Sequence, residues 1–125
     1  MAGSLNQSAQ MTRRLAIQPG PGVPSQFSTV AINQSASGDT TLVAAVASQS
    51  TKLYAMILVC TGATAITIKD GASTSLTGAM SFGANGGFTL DMMGEPWFSG
   101  TANTAFIINS SNAVQVSGVA LYIQS

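Results

Sequence analysis

The sequence predicts an all-β domain, an antiparallel β-sandwich or jelly roll of about eight strands, with an extended N-terminal arm. From residue 26 onward, short apolar stretches recur about every 10–12 residues, and Gly, Asn and Asp turn signals separate them. No apolar pattern of helical period and useful length follows residue 25. Upstream of residue 25, the stretch Pro19–Pro24 can neither continue a helix nor pair as a central strand. This stretch therefore separates the arm from the domain.

This boundary divides the 125 residues into an N-terminal arm and Pro/Gly linker over 1–25 and a β-sandwich domain over 26–125. The arm holds two of the four basic residues of the chain, Arg13 and Arg14, next to the apolar Leu15 and Ile17. We predict that these four residues contact a partner. The alternative is that the two arginines lie on a solvated face.

The stretches with strand character are Phe27–Ile32, Thr40–Ala47, Leu53–Cys60, Ala65–Lys69, Ser75–Phe82, Phe88–Met92, Thr104–Asn109 and Ala113–Gln124. In the second, Leu42, Ala44 and Val46 alternate on one face. Leu53–Cys60 is apolar at every position but Tyr54, which predicts a strand covered on both sides.

The remaining strands alternate more regularly. Ile66 and Ile68 are predicted to point inward, and Phe88, Leu90 and Met92 share one face of their strand. Thr104–Asn109 contributes Phe106 and Ile108. Asp70-Gly71 predicts a tight hairpin turn, and Gly83–Gly87 predicts a second turn.

The last strand changes phase along its length. Two valines, at 114 and 116, share one parity, whereas the apolar residues at 119, 121 and 123 share the other. A one-residue shift would turn every later side chain to the other face, so we predict a β-bulge at Ser117-Gly118.

The chain is poor in charge, which limits the functions open to it. Charged residues make up 6% of the sequence, against about 25% in typical soluble domains, and histidine is absent. The formal net charge is zero, so no long-range attraction draws the chain to nucleic acid or to an anionic membrane. We therefore expect neither as a partner, and we expect a surface that packs against protein.

The few reactive side chains do not form a recognisable catalytic or metal-binding pattern. Asp91 and Glu95 could act as a pair of carboxylates, but no third polar partner accompanies them. Asp39 and Asp70 lie in turn signals and lack the spacing of a calcium loop. The lone Cys60 has no histidine to activate it and reads as a small buried apolar residue. We expect no enzymatic activity, no metal and no cofactor.

Pro96-Trp97-Phe98 is the densest aromatic cluster. It could pack in the core, lie in a subunit interface or stack on a sugar ring. Four residues are the predicted interface candidates within the domain: Tyr54, Met56, Trp97 and Phe98.

No signal peptide and no apolar stretch of about 18 residues are evident, which favours assembly in a cytoplasm.

Several motifs in a fixed order resemble a group of small tailed-bacteriophage proteins. They are Thr41-Leu-Val-Ala-Ala-Val46, Ile66-Thr-Ile-Lys-Asp-Gly71, Leu76-Thr-Gly-Ala79, Ala84-Asn-Gly-Gly-Phe88, Pro96-Trp-Phe98 and Ala113-Val-Gln-Val-Ser-Gly118. The resemblance covers about residues 40–124 and leaves out the arm. Related small β-domains serve as capsid decoration (cement) proteins or as parts of fibres.

The resemblance implies a virion structural protein. The first hypothesis is a capsid decoration protein, a homotrimer that binds the major capsid protein and bridges capsomers, with the arm gripping the shell or a neighbouring subunit. The alternative is a fibre or tail-tip module whose loops around Trp97 or Asn85 bind a host receptor or glycan. A small hydrolase that uses Asp91 and Glu95 is the third hypothesis.

Overall fold

Ten β-strands, and no helix, build the part of the chain that the computed structural model describes, residues 27–125. In chain order they are β1 (Ser28–Gln34), β2 (Gly38–Val43), β3 (Thr51–Cys60), β4 (Thr64–Asp70), β5 (Thr74–Ser75), β6 (Met80–Phe82), β7 (Gly87–Leu90), β8 (Phe98–Ser99), β9 (Phe106–Ser110) and β10 (Val116–Gln124). The predicted arm over 1–25 lies outside the described residues.

The strands form two antiparallel sheets of five strands each, which confirms the predicted all-β sandwich. Sheet I has the order β2-β9-β4-β5, and β6 also pairs with β4. Sheet II has the order β1-β10-β3-β7, and β8 also pairs with β3.

Each sheet has one interrupted edge strand. In sheet I, β5 and β6 pair with successive parts of β4, and in sheet II, β7 and β8 pair with successive parts of β3. Counting each interrupted edge strand once leaves eight strands, and every connection crosses between the sheets except the one from β4 to β5, as in a jelly roll. Of the two predicted architectures, the strand order therefore matches the jelly roll.

The core lies between the two sheets and contains the predicted alternating residues of sheet I. Ile66 and Ile68 of β4 and Phe106 and Ile108 of β9 are buried there. Sheet II contributes Ile32, Leu53, Met56, Leu58, Cys60, Val116 and Ala120. The hairpin predicted at Asp70-Gly71 also forms, and Gly71 adopts the positive φ of 77° that such a turn favours.

The one-residue phase change occurs in β3 rather than in β10. Leu121 lies opposite Ala55 and Tyr122 lies opposite Leu53, which leaves Tyr54 as an extra residue in β3. A bulge of this kind moves the following side chains to the other face. Leu53 is therefore buried before the bulge, and Met56 after it.

The bulge predicted at Ser117-Gly118 is wrong, because the register of β10 is unbroken there against both of its neighbours. Glycine is still required at position 118. A Cβ atom there would overlap the carbonyl oxygen of Ile57 on the adjacent strand.

A second correction concerns the predicted strand Thr40–Ala47. β2 ends at Val43, and Leu42 is an extra residue opposite β9, since Val43 pairs with Phe106 and Thr41 pairs with Ile107. The core residue is therefore Val43, and Val46 lies exposed in the connection to β3.

Candidate interaction face on sheet II

The outer faces of the two sheets differ in their chemistry. On sheet I, the Lys69 Nζ donates to both carboxylate oxygens of Asp39 at 3.1 Å, and Asn109 Nδ2 donates to the Asp39 Oδ1 at 2.7 Å. The bonds from Asn109 and Lys69 lower the pKa of Asp39. This face is polar, and its charges are paired with one another.

The outer face of sheet II carries apolar and small side chains instead. Val119 of β10 lies opposite Ala31 of β1 on one side and Ile57 of β3 on the other, and Ile57 lies opposite Thr89 of β7. These four residues form a row across the sheet that contains no charged side chain.

Two parallel rows flank this central row. One contains Asn33, Ser117, Val59 and Gly87, and the other contains Thr29, Leu121 and Ala55. We refer to the residues that dominate these rows as the apolar face: Thr29, Ala31, Ala55, Ile57, Val59, Thr89, Val119 and Leu121.

Three large residues of the apolar face are open to solvent. Ile57 is 45% exposed, Val59 44% and Val119 43%. The expectation that Leu53–Cys60 is covered on both sides is therefore wrong for the described residues, because sheet I covers only one side of β3. Contiguous exposed apolar surface of this kind marks an interaction site more often than isolated exposed side chains do.

A shallow hollow of about 290 Å³ opens on the apolar face, lined mainly by apolar side chains. Ala55, Ile57, Val119 and Leu121 contribute to its floor and walls, and Met92 lines it from the loop after β7. The neighbouring Met93 is the most exposed of the large apolar residues in the described chain, at 58%.

That loop, residues 91–97, interrupts the edge strand between β7 and β8. The Trp97 backbone N–H donates to the Leu53 carbonyl at 2.7 Å, and the Trp97 Nε1 donates to the Asp91 carbonyl, also at 2.7 Å. The first bond returns the chain to β3, where β8 resumes pairing, and the second closes the loop on itself. Asp91 and Glu95, the candidate carboxylate pair, are exposed on this loop.

The structure separates the predicted interface residues of the domain. Trp97 remains 37% exposed, whereas Phe98 is half-buried and packs against the core. Tyr54 is half-buried at the bulge and contacts Phe27 edge-to-face, with ring centroids 4.9 Å apart.

Met56 needs a correction, because the β3 bulge turns its side chain into the core, where it is 2% exposed. Its side chain therefore offers no interface surface. The arm residues Arg13, Arg14, Leu15 and Ile17 lie outside the described residues.

Sequence reasoning missed Ile57, Val59 and Val119 as surface residues. Their signal was present, since Leu53–Cys60 is apolar at both parities and Val119 departs from the parity of Val116. The first feature predicts burial of Leu53–Cys60 on both sides. The second predicts a bulge in β10, whereas the bulge lies in β3.

Asp70 and Cys60 lie in surroundings that give each of them a structural role. The carboxylate of Asp70 accepts hydrogen bonds from the Thr101 backbone N–H at 3.0 and 3.1 Å and from the Thr101 Oγ1 at 2.7 Å, which fastens the β8–β9 loop to β4. Cys60 is fully buried in the core, and this burial raises the pKa of its thiol.

Within residues 27–125, no group of three or more His, Cys, Asp or Glu side chains is arranged to hold a metal ion. The same residues include no helix that could cross a membrane. Comparisons with protein-family models, with curated proteins and with solved structures found no match for this chain.

Proposed function

We propose that this chain is a virion structural protein, a capsid decoration (cement) protein that binds the major capsid shell and bridges capsomers. In this proposal it acts as a homo-oligomer, expected to be a trimer, and joins the virion in the host cytoplasm. The observation that carries the proposal is the apolar face of sheet II, a broad surface without charged side chains that suits contact with protein.

Two further observations support this proposal. The ordered phage-like motifs are distributed over both sheets and their turns, so the resemblance concerns most of the domain, from about residue 40 to residue 124, rather than one loop. Jelly rolls also recur in viral capsid proteins, although this is an analogy at the level of the fold.

Stapling a shell requires contact area rather than chemistry. A stable contact buries roughly 800 Å² on each partner. In the proposal, part of this area comes from the domain and part from the arm, whose Arg13 and Arg14 pair with acidic groups of the shell while Leu15 and Ile17 bury apolar surface.

The test is cosedimentation of the full chain with shells assembled from the major capsid protein of the same genome. We expect binding, and electron microscopy of the complexes should reveal added density on the outer surface of the shell. Failure of the chain to sediment with intact shells at saturating concentration would overturn the proposal.

A variant of the arm tests whether its two arginines bind the shell. We expect the double substitution Arg13→Ala with Arg14→Ala to weaken shell binding by roughly tenfold, equivalent to about 1.4 kcal/mol. The matched control Lys52→Ala removes a basic residue from the domain instead and should bind as the unmodified chain does. Equal binding by the double variant would show that the arginines do not hold the shell.

The exposed Trp97 favours one alternative, a fibre or tail-tip module that binds a host glycan. Trp97 is 37% exposed on the 91–97 loop, where a sugar could stack against its ring. Glycan-array binding that disappears in Trp97→Ala and persists in Met93→Ala would favour this alternative over the decoration protein.

A further inference from the structure

We infer that the apolar face of sheet II is the surface through which copies of this chain contact one another. This deepens the proposed function, in which the protein is a homo-oligomer, by assigning the contact to one face. The polar face of sheet I and the arm are then left for other partners.

The charge distribution favours a second copy as the occupant. A surface that meets its own copy must avoid placing like charges opposite each other. The three rows across the apolar face contain no charged side chain, so contact between the rows of two copies creates no like-charge pair, and the one carboxylate nearby, Asp91, lies at the edge of the hollow. In contrast, the outer face of sheet I would bring together copies of the Lys69–Asp39 pair.

The shape of the face suits sheet-on-sheet packing. Stacked sheets lie about 10 Å apart, with small and medium side chains interdigitating between them. The apolar face alternates small residues, such as Ala31 and Ala55, with the larger Ile57, Val59 and Val119. The same combination fills the interior of a β-sandwich.

The size of the face is also adequate. The four strands have 7, 9, 10 and 4 residues, and at about 3.3 Å per residue and about 4.8 Å between strands they cover roughly 480 Å² in projection. Met92 and Met93 at the rim extend this toward the roughly 800 Å² per partner that a stable interface buries.

Other occupants fit the face less well. The hollow is open, and the apolar face offers few of the converging polar groups that orient a small ligand. The N-terminal arm brings two arginines, Arg13 and Arg14, and the hollow offers them only one carboxylate, Asp91. A second copy instead brings uncharged rows that match the uncharged rows of the face.

The test is the molar mass of the full chain, measured by size-exclusion chromatography with light scattering over a range of concentrations. We expect an oligomer of at least twice the 12.6 kDa mass of one chain, because contact of this face with the same face of a copy pairs two chains. Val119→Glu places a charge at the centre of the face and should raise the dissociation constant by roughly a hundredfold. The matched control, Thr67→Glu on the outer face of sheet I, should leave it unchanged.

A second variant guards against misfolding. Ala31→Glu adds a charge on the exposed edge strand β1 without removing a large apolar side chain, and circular dichroism checks that both variants fold. A monomeric unmodified chain would overturn the inference, as would an oligomer that folded Val119→Glu and Ala31→Glu leave intact.

The outcomes also separate this inference from the proposed function. A monomer that still binds shells refutes self-association through the face and leaves the decoration role standing. An oligomer that depends on Val119 but binds no shell supports the inference and refutes the decoration role.

Discussion

Two adjacent residues of β3, Leu58 and Ile57, point to opposite faces of the strand. Comparing their alanine substitutions measures, as unfolding free energy, how differently the two faces are buried. Leu58 is fully buried between the sheets, whereas Ile57 points outward and is nearly half exposed. The two substitutions remove aliphatic side chains of equal size from the same strand. Their difference therefore reports burial rather than chemistry.

The expected magnitudes follow from that burial. Leu58→Ala removes a fully buried side chain and leaves a cavity, which costs about 3–4 kcal/mol of unfolding free energy. Ile57→Ala loses only the shielded part of its side chain, and at about 0.8 kcal/mol per buried methylene this amounts to about 1 kcal/mol.

The assay is urea unfolding, followed by the fluorescence of Trp97 and by circular dichroism, at low and high protein concentration. If copies associate through the apolar face, the unfolding midpoint of the unmodified chain rises with concentration. The loss caused by Ile57→Ala should then increase with concentration, and the loss caused by Leu58→Ala should stay nearly constant.

Two results would refute this reasoning. Equal losses for the two variants at the lowest concentration would mean that β3 is covered on both sides within one chain. An Ile57→Ala loss that does not change with concentration, in a chain that associates, would mean that association uses another surface.

Three other perturbations probe features of the single chain. Asp70→Ala removes the hydrogen bonds from Thr101 and should cost about 2–4 kcal/mol in urea unfolding, since hydrogen bonds to charged groups contribute about 1.5–3 kcal/mol each. The hydrogen bonds from Asn109 and Lys69 lower the pKa of Asp39, so these bonds to its carboxylate stabilise the fold above the unfolded pKa of 3.8 and this stabilisation is lost as pH falls through the lower folded value. The stability difference between the unmodified chain and Asp39→Asn, less than about 1 kcal/mol for an exposed pair, should therefore vanish in acid. Cys60 should react with a thiol reagent only in urea, because its side chain is fully buried.

Each of these three expectations has a result that would contradict it. Asp91→Ala is the control for Asp70→Ala, and because Asp91 is exposed it should change stability by less than about 0.5 kcal/mol. Equal losses for both would remove the anchoring role of Asp70. A stability difference between the unmodified chain and Asp39→Asn that grows toward acid would contradict the prediction for Asp39. Rapid labelling of Cys60 in native buffer would contradict the prediction for Cys60.

Strand β4 of sheet I could be predicted closely from the sequence because its two faces differ in polarity. In β4, Ile66 and Ile68 alternate with Thr67 and Lys69, so period-two alternation identifies the buried side directly. The Asp70-Gly71 turn then fixes the strand end.

Sheet II could not be predicted as well, because both of its faces are apolar. Periodicity detects apolar side chains but does not tell whether the same chain or another protein covers them. Val119 and Ile57 therefore looked like core residues, and the bulge at Tyr54 further obscured the alternation and misplaced Met56.

Short paired segments were also beyond reach of the sequence pattern. β8 consists of Phe98 and Ser99 alone, and two residues are too few to display a period. Pairing of Phe98 with Leu53 depends on the loop 91–97 returning to β3, which is a long-range contact.

The most direct test of a protein-covered face on sheet II is the reactivity of a thiol placed at its centre by Val119→Cys. Labelling with a maleimide is followed as protein concentration rises, and Thr67→Cys on sheet I serves as the control. We predict that labelling at position 119 slows with concentration while labelling at position 67 does not. Labelling at position 119 that stays equally fast at every concentration would contradict contact between copies through this face.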